Sequence, residues 1–283
     1  MVADAWRFHR TFSGDAVTTP SLGSEYISLD PLRVRIDTHR RYSEIADDVN
    51  KVVSDTLRLN GNENLVDIGC GTGEFLKHLV DRGHRGRLAG IDASLAAVAA
   101  ASRVPGVDGI RGAAEDLPLF DSVCDVLTAR HMLYHLTDPV RALQEFRRVT
   151  RLGGTVCVVV NHARTCHRTR DLVTEIAARF GLSAPDGMIN EDVNSDTIAD
   201  MMTEVFGDVD VHRMDNALAF PKPEPAVRFA ESLFSFCGIA SDHPQRARIR
   251  TEVETALRNW FEDHPGRTWR DPKGYTVATV TCS

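Results

Sequence analysis

The strongest chemical signal in this sequence is a glycine-rich turn that follows a short apolar run. The segment reads Leu65-Val66-Asp67-Ile68-Gly69-Cys70-Gly71-Thr72-Gly73. Glycine tolerates positive backbone φ angles and, lacking a side chain, lets a ligand approach the main chain closely. In an open parallel sheet, ligands bind outside the carboxyl ends of the strands, where such a turn would lie. We therefore predict that residues 69–73 bind a ligand; the alternative is a tight connection that binds nothing.

The spacing of the glycines distinguishes between two kinds of ligand. It is G-x-G-x-G, whereas the dinucleotide pattern G-x-G-x-x-G directs a pyrophosphate to a helix N-terminus. Asp67, at the end of the apolar run, suits a ligand that carries an amine and a sulfonium. Asp92 ends the next apolar run, and its carboxylate can accept both hydroxyl protons of a ribose, as in NAD enzymes, or can cap the following helix. The two acids predict a nucleoside ligand, and the glycine spacing favours a sulfonium over NAD.

Two histidines, His131 and His135, follow the fourth predicted strand and are candidate general bases. The ordinary pKa of histidine suits proton transfer from a substrate hydroxyl near neutral pH. The alternative is a loop histidine that holds backbone groups, and this alternative is the stronger one for His135.

Several apolar side chains are candidates for contact with a substrate. Met132 and Tyr134 lie beside the two histidines and could line a pocket or pack beneath it. Met188, Phe220 and Phe236 lie farther along the chain and could form an apolar roof. Aromatic residues at helical spacing more often belong to a plain core, so both interpretations stay open.

Alternating strand and helix patterns organise the middle of the chain. Strands are predicted at residues 65–68, 87–91, 109–112, 123–129 and 155–160. Helices are predicted between them at residues 73–81, 95–102 and 139–149. This alternation is typical of a parallel, doubly wound sheet. Upstream, the apolar spacing predicts a helix over 43–59, capped by Ser43 and ended by Gly61.

After Asn161 the alternation stops and amphipathic helices dominate. We predict helices at 167–180, 196–206, 224–236 and 244–261, with Asp196 capping the second of them. Strands are predicted at 208–220 and, as a last edge strand, at 274–282. Residues 1 to about 25 have weak periodicity and are interpreted as a loosely ordered arm.

Composition excludes several classes of protein. The chain has 283 residues, 42% of them hydrophobic, and a formal net charge of −7, which argues against a nucleic-acid partner. It contains no apolar run long enough to span a membrane and no apolar leader, so we expect a cytoplasmic protein. The six cysteines form no C-x-x-C pair and the histidines no H-E-x-x-H motif, so we expect reduced, buried thiols and no metal.

Residues 65–160 resemble the class I S-adenosylmethionine-dependent methyltransferases, in particular the UbiE/MenG-like (methyltransferase type 11) group. Three segments besides the glycine turn carry this resemblance: residues 112–118, 124–139 and 148–154. The sequence departs from the usual pattern at 119–124 and at Leu152, where proline is common, and neither departure removes a polar ligand.

The resemblance implies S-adenosylmethionine as the cofactor and a site drawn from five segments: Arg35, Tyr42, Asp67, Gly69, Cys70, Gly71, Gly73, Asp92, Ala93, Ala114, Glu115, Asp116 and Arg130. The glycine turn with Asp67 would hold the methionine part, and Asp92 the ribose. Ala114 and Glu115 would flank the adenine, and Arg130 would lie beside the methionine part or the sulfonium. Arg35 and Tyr42 belong to a segment that resembles the cover of the cofactor.

The resemblance also implies the fold and the reaction. We expect an α/β, Rossmann-like doubly wound fold with seven strands, mostly parallel, an antiparallel last strand and a helical cap. Its parts would be an arm and cap segment (1–45), the cofactor-binding core (46–161) and a region with cap insertions that completes the sheet (162–283). The expected reaction is methyl transfer to an oxygen or nitrogen, less readily a carbon, of a small, partly apolar metabolite. One setting for such a reaction is natural-product biosynthesis. The alternatives are a tRNA or protein methyltransferase, an NAD-dependent oxidoreductase, or a binding protein without chemistry; the oligomeric state stays open.

Overall fold

The structure is a computed structural model that describes residues 30–184 and 190–283. The arm expected at residues 1–25 and the candidate Met188 lie outside the described residues. No helix in the described ranges is both long and apolar enough to cross a bilayer.

One sheet contains the seven strands found in the described ranges. In chain order, β1 to β7 are Leu65–Ile68, Leu88–Asp92, Val107–Arg111, Cys124–Arg130, Thr150–Asn161, Asp210–Phe220 and Trp269–Thr281. Their order across the sheet is β3-β2-β1-β4-β5-β7-β6. The first five strands are parallel to one another, and β7 runs antiparallel to both β5 and β6. The predicted α/β fold, mostly parallel with an antiparallel last strand, is confirmed.

The predicted edge position of the last strand is wrong. β7 is inserted between β5 and β6, with Ala278 opposite Val158 on one side and Val211 on the other. Most of β7 is buried, whereas the first residues of β6 are exposed and form the edge. The strand also begins at Trp269, earlier than predicted. The sequence pattern did not reveal this start because the buried charged residues Asp271 and Lys273 interrupt the apolar run.

Helices and short 3₁₀ turns connect the strands. The helices α1 to α9 are Asp30–Tyr42, Val49–Leu57, Glu74–Asp81, Leu95–Ala101, Pro139–Val149, His167–Ala178, Ile198–Phe206, Pro223–Ser232 and Arg246–Asp263. The 3₁₀ turns are Leu133–His135 and Ser235–Cys237. Helix α5 has the predicted bounds because Asp138 caps it, accepting from the Arg141 amide at 2.9 Å, and Pro139 suits its first turn.

The helix predicted over residues 43–59 is wrong at both ends. Helix α2 begins after Asp48, whose carboxylate accepts from the amides of Asn50 and Lys51 at 3.0 and 3.2 Å. The Ser43 hydroxyl instead donates to the His39 carbonyl at the end of α1. Helix α2 ends at Leu57 because the next residue, Arg58, adopts a left-handed conformation with φ 47°. Residues 43–48 are therefore a connection between two helices.

Two further boundary predictions are wrong. Helix α7 begins after Thr197, and the carboxylate of the predicted cap, Asp196, accepts from the Ser195 hydroxyl rather than from the helix. The single helix predicted over 224–236 is divided into α8 and the 3₁₀ turn that follows it.

The core has three parts, two of them on the faces of the sheet. One face packs against α5 and α7, and the other packs against α2, α3 and α4. Central parallel strands covered on both faces are expected to be continuously apolar, as residues 156–160 of β5 are. The third part joins α6, α8 and α9 to the ends of β6 and β7, and Tyr42 of α1 packs against it.

Candidate functional site

The candidate residues meet at one edge of the sheet because parallel strands end on the same side. Strand β1 is in register with β4, so that Asp67 pairs with Thr128. Asn161, at the end of β5, lies opposite Tyr275 of the antiparallel strand β7. The carboxyl edge therefore brings together residues from the start, the middle and the end of the described chain.

The three glycines of the turn have different requirements. All have positive φ, at 63° for Gly69, 54° for Gly71 and 80° for Gly73. A Cβ on Gly69 would lie 2.7 Å from Met132, and a Cβ on Gly73 would lie 3.1 Å from the backbone of Ala101. A Cβ on Gly71 would meet no atom within 4 Å. Packing thus excludes side chains at Gly69 and Gly73, whereas Gly71 faces open space that a ligand can enter.

Asp92 connects this turn to the end of β2. Its carboxylate accepts from the amide of Gly71 at 3.0 Å and from the amide of Ser94 at 2.8 Å. Ser94, not Asp92, is the N-cap of α4, so the capping alternative for Asp92 is wrong. A carboxylate offers about four acceptor positions, so this partly exposed group keeps capacity for two hydroxyl donors.

Asp67 and Arg130 form a buried ion pair behind the turn. Asp67 is 1% exposed and accepts from the Thr128 hydroxyl at 2.6 Å and from Arg130 at 3.1 and 3.3 Å. Arg130 also donates to Asn50 of α2 at 2.8 Å, and its guanidinium lies 4.3 Å from the ring centre of Phe75. Both oxygens of Asp67 have partners within the protein, so this residue holds Arg130 in place. A direct contact of Asp67 with a ligand stays a prediction.

The loop after β3 lies beside Asp92. The amide of Gly112 donates to the Asp92 carbonyl at 3.1 Å, and a bridge between Ala113 and Asp116 closes the loop. Ala114 is buried and Asp116 is exposed, while burial raises the pKa of the partly exposed Glu115. The predicted adenine contacts are thus neighbours of the predicted ribose contact.

Cys70 and Ala93 have more limited roles available to them. The Cys70 side chain is buried in the core beside α3, and burial raises the pKa of its thiol, which therefore stays neutral. Only its main chain is available to a ligand. Ala93 is exposed next to Asp92, and its carbonyl accepts from Arg111 at 3.4 Å.

His131 follows Arg130 in an unusual conformation. Its φ is 53°, which is uncommon for a residue other than glycine, and its amide donates to the Val159 carbonyl at 2.8 Å. Burial, reinforced by the charge of Arg130, lowers the pKa of His131 to about 4, although a hydrogen bond with the Asn161 side chain acts in the opposite direction. The ring is therefore neutral near pH 7 and can accept a proton. The ring of His135 packs against Tyr134 at 4.6 Å between centroids, in the 3₁₀ turn.

The candidate substrate contacts separate into two groups. Met132 packs against Gly69, and Tyr134 is buried with its carbonyl bonded to the Asn190 amide at 2.7 Å. Phe220 is fully buried against Tyr42, with ring centroids 5.3 Å apart, and its contact with a substrate stays a prediction. Phe220, the last residue of β6, belongs to the core between α1 and α8, where its ring also packs against Phe229.

The predicted cover segment forms helix α1 and packs on the region around α8. Arg35 donates to the Ser232 carbonyl at 2.7 Å, and its guanidinium lies 5.0 Å from the ring centre of the partly buried Phe236. Tyr42 lies at the other end of α1. Contact of these three residues with a cofactor or substrate stays a prediction.

Sequence reasoning missed a polar cluster next to His131. Lys273 of β7 is 8% exposed, and its ammonium lies 3.4 Å from the carboxylate of Asp47, which also accepts from Asn216 at 2.8 Å. The ring of Tyr275 meets that of His131 edge to face, with centroids 6.1 Å apart. The buried charge at Lys273, within a β-rich segment, was the available signal, but its partner could not be inferred from spacing.

These residues fit S-adenosylmethionine. An open glycine turn admits a ligand to the main chain, and Asp92 beside it keeps acceptor capacity for ribose hydroxyls. Arg130 is fixed nearby by Asp67, and Met132 covers Gly69. Among residues 30–184 and 190–283, no group of three or more His, Cys, Asp or Glu could hold a metal ion.

Comparison with known proteins agrees with this geometry. A family model described as a methyltransferase domain matches residues 66–158. An uncharacterized methyltransferase of Mycobacterium tuberculosis is 32% identical over 208 residues, which cover 71% of this chain and 74% of that protein. A demethylmenaquinone methyltransferase of Roseiflexus castenholzii is 37% identical over 105 residues, 35% of this chain and 43% of its own. The alignments with two other curated relatives cover only 34% and 51% of the length of those proteins.

The fold has solved counterparts. The crystal structure of a methyltransferase named from an antibiotic biosynthesis pathway of Anabaena variabilis aligns with a TM-score of 0.59 and 19% identity, covering 82% of this chain and 96% of that one. The four sequence segments predicted a methyltransferase. The matched domain and the long alignment with the mycobacterial protein both support that prediction, and the fold agrees with it. This chain belongs to the class I S-adenosylmethionine-dependent methyltransferases.

Proposed function

We propose that this protein transfers the methyl group of S-adenosylmethionine to an oxygen or nitrogen, less readily a carbon, of a small, partly apolar metabolite. The observation that carries the proposal is the junction of Gly71 and Asp92. There, a main chain open to a ligand meets a carboxylate with spare acceptor capacity at the carboxyl edge of the sheet.

The residues of the chain have separable tasks in this proposal. Asp92 accepts hydrogen bonds from the ribose, and the turn at Gly71 admits the methionine part. When bound, S-adenosylmethionine supplies an electrophilic methyl group on a positively charged sulfur. The protein therefore mainly aligns the acceptor atom and excludes water. His131, neutral near pH 7, holds or accepts the proton of a hydroxyl acceptor.

A small metabolite is supported over a macromolecule by charge and by the covering elements. The net charge of −7 is unfavourable for RNA. Helix α1 and the 43–48 connection lie over β6 and β7 beside the site. The backbone amide of Glu44 donates a hydrogen bond to the Ala217 carbonyl of β6 at 2.9 Å. A relative named demethylmenaquinone methyltransferase supports a small, partly apolar acceptor. A structural counterpart named from antibiotic biosynthesis supports an acceptor of specialised metabolism.

The test is a thermal-shift titration with S-adenosylhomocysteine beside NAD and NADH. A ligand that binds only the folded state stabilises it by about 2.7 kcal/mol at a hundredfold excess over its dissociation constant. We expect a saturable shift with S-adenosylhomocysteine alone, followed by turnover of S-adenosylmethionine in an acceptor screen. A shift with NADH alone would overturn the proposal, and tight cofactor binding without any product would favour a binding protein.

A further inference from the structure

We infer that the hydroxyl of Tyr275 binds the acceptor oxygen and that the acceptor is a phenol or an enol. This inference rests on the proposed function, because it names the class of molecule that receives the methyl group. Tyr275 lies on β7, directly opposite Asn161, at the edge of the sheet where the glycine turn and His131 also lie. The sequence predicts a strand over this residue but does not include it among the candidate site residues.

The Tyr275 hydroxyl is a buried donor that the described part of the protein leaves unused. The residue is 7% exposed, and its hydroxyl makes no hydrogen bond with any residue in 30–184 or 190–283. Burial, with the charges of Asp47 and Asp48, raises the pKa of Tyr275 to about 12, so the hydroxyl keeps its proton and can donate. A buried donor without a partner is unfavourable, and an oxygen that accepts its proton removes that cost.

His131 supplies the complementary acceptor. Its ring lies 6.1 Å from the Tyr275 ring, with an interplanar angle of 81°, and is neutral near pH 7. The Asn161 side chain hydrogen-bonds to this ring, which leaves the other ring nitrogen as a proton acceptor. An acceptor oxygen within reach of both the Tyr275 hydroxyl and this ring nitrogen would thus meet one donor and one acceptor.

A hydroxyl group satisfies both partners and can still react. Its oxygen accepts from Tyr275 with one lone pair, attacks the methyl carbon with the other, and gives its proton to His131. The new C–O bond forms as the S–C bond breaks, and the electron pair of that bond stays on sulfur. A neutral amine has a single lone pair, so it cannot attack and accept from Tyr275 at once. The arrangement therefore favours oxygen.

The surrounding charges disfavour a carboxylate acceptor. The one ammonium in the cluster, Lys273, is already beside Asp47 at 3.4 Å, and Asp48 adds a second negative charge near Tyr275. His39, on α1, is neutral near pH 7 because burial and the charge of Lys273 lower its pKa to about 4. No excess positive charge remains in this cluster of described residues to pair with an anion.

The experiment measures binding of 4-nitrophenol and of its amine analogue 4-nitroaniline to protein saturated with S-adenosylhomocysteine. Three proteins are compared: wild type, Tyr275→Phe, and the control Thr276→Val. Thr276 is the next residue of β7, is fully buried and also has an unpartnered hydroxyl, but points to the opposite face of the sheet. The control therefore removes a similar hydroxyl without changing the proposed contact.

We expect Tyr275→Phe to weaken 4-nitrophenol binding about fivefold and to leave 4-nitroaniline binding unchanged. Thr276→Val should bind both probes as the wild type does. The donor of Tyr275 stabilises a phenolate, so absorbance of the bound phenolate should appear at lower pH in wild type than in Tyr275→Phe. The Tm of Tyr275→Phe should equal or exceed that of the wild type.

Four results would overturn the inference: no binding of 4-nitrophenol to the wild type, equal binding by Tyr275→Phe, preference for 4-nitroaniline, or loss of S-adenosylhomocysteine affinity in Tyr275→Phe. The last result would assign Tyr275 a structural role. Failure of S-adenosylhomocysteine to bind the wild type would instead reject the proposed function, so the two failures are distinguishable.

Discussion

Asp92 is the residue on which the proposed cofactor site depends most. Its carboxylate joins the turn at Gly71 to the start of α4 through two backbone hydrogen bonds and still has acceptor positions available. Asp67, the other acid of the motif, has both oxygens engaged by Thr128 and Arg130. The two acids of the sequence pattern thus have different surroundings: Asp67 is fully engaged by the protein, whereas Asp92 keeps acceptor positions for the proposed ligand.

We predict that Asp92→Ala weakens binding of S-adenosylhomocysteine about tenfold or more, since hydrogen bonds to a charged group contribute about 1.5–3 kcal/mol. Isothermal titration calorimetry measures the change. Asp108→Ala, which removes an exposed acid from the neighbouring strand β3, is the control and should bind normally. Unchanged affinity in Asp92→Ala would reject the ribose assignment.

The low pKa of His131 changes the expected pH profile of turnover. A base with a pKa of about 4 is already neutral from pH 6 to 9, so turnover should be flat there and decline only as the pH falls toward 4. His131→Ala should lower turnover and leave S-adenosylhomocysteine affinity unchanged. Rates measured across this range with an acceptor found by screening test both statements. A loss of rate centred near pH 6.5 would contradict the assigned environment of His131.

At the scale of elements, the junction of α1 and α2 positions the site. Asp48 caps α2, and the first turn of α2 presents Asn50 to Arg130. Arg130 in turn contacts Asp67 behind the glycine turn. Because β7 lies between β5 and β6, its residues Lys273 and Tyr275 lie at the same edge of the sheet as the glycine turn, although they are far from it in sequence.

We predict that Asp48→Ala lowers the free energy of unfolding by about 1 kcal/mol, the usual contribution of an N-cap. Urea denaturation measures this change. Ser43→Ala is the matched comparison, because Ser43 lies where the sequence pattern predicts the cap but bonds to the end of α1 instead. A larger loss in Ser43→Ala than in Asp48→Ala would contradict the observed start of α2.

Strands β1 to β5 and helix α5 could be predicted because local patterns specify them. A buried parallel strand is a short apolar run, and α5 has a capping Asp138 followed by Pro139. The end of the chain could not be placed in this way. Strand β7 contains Asp271 and Lys273, buried charges that become favourable only through distant partners: the Arg168 and Thr169 amides for Asp271, and Asp47 for Lys273.

For the whole molecule, two neutral histidines make stability depend on pH. Burial lowers the pKa of both His39 and His131 to about 4, below the ordinary 6.5 of the unfolded chain. Between these values the unfolded state binds more protons than the folded state, so stability falls as the pH drops below about 6.5.

We predict that lowering the pH from 7 to 5 reduces the free energy of unfolding by about 2 kcal/mol for each of these histidines. Urea denaturation of wild type and His39→Gln at both pH values measures the effect of one of them. The variant should lose about 2 kcal/mol less than the wild type, whereas His212→Gln, which changes an exposed histidine, should behave as the wild type. Equal losses in His39→Gln and wild type would show that His39 is protonated in the folded protein.

The sequence by itself determined the family, the strands β1 to β5 and the residues proposed to bind the cofactor. The glycine turn, Asp92 and the loop at 112–118 each lie at or just after the end of a strand, so each is contained in a few consecutive residues. Only the tertiary structure brings together the residues proposed to bind the acceptor. Lys273 and Asp47 are 226 positions apart, and Tyr275 reaches His131 only because β7 is inserted beside β5. Local pattern cannot specify such pairs, because burial and charge compensation between distant segments arise only when the chain folds.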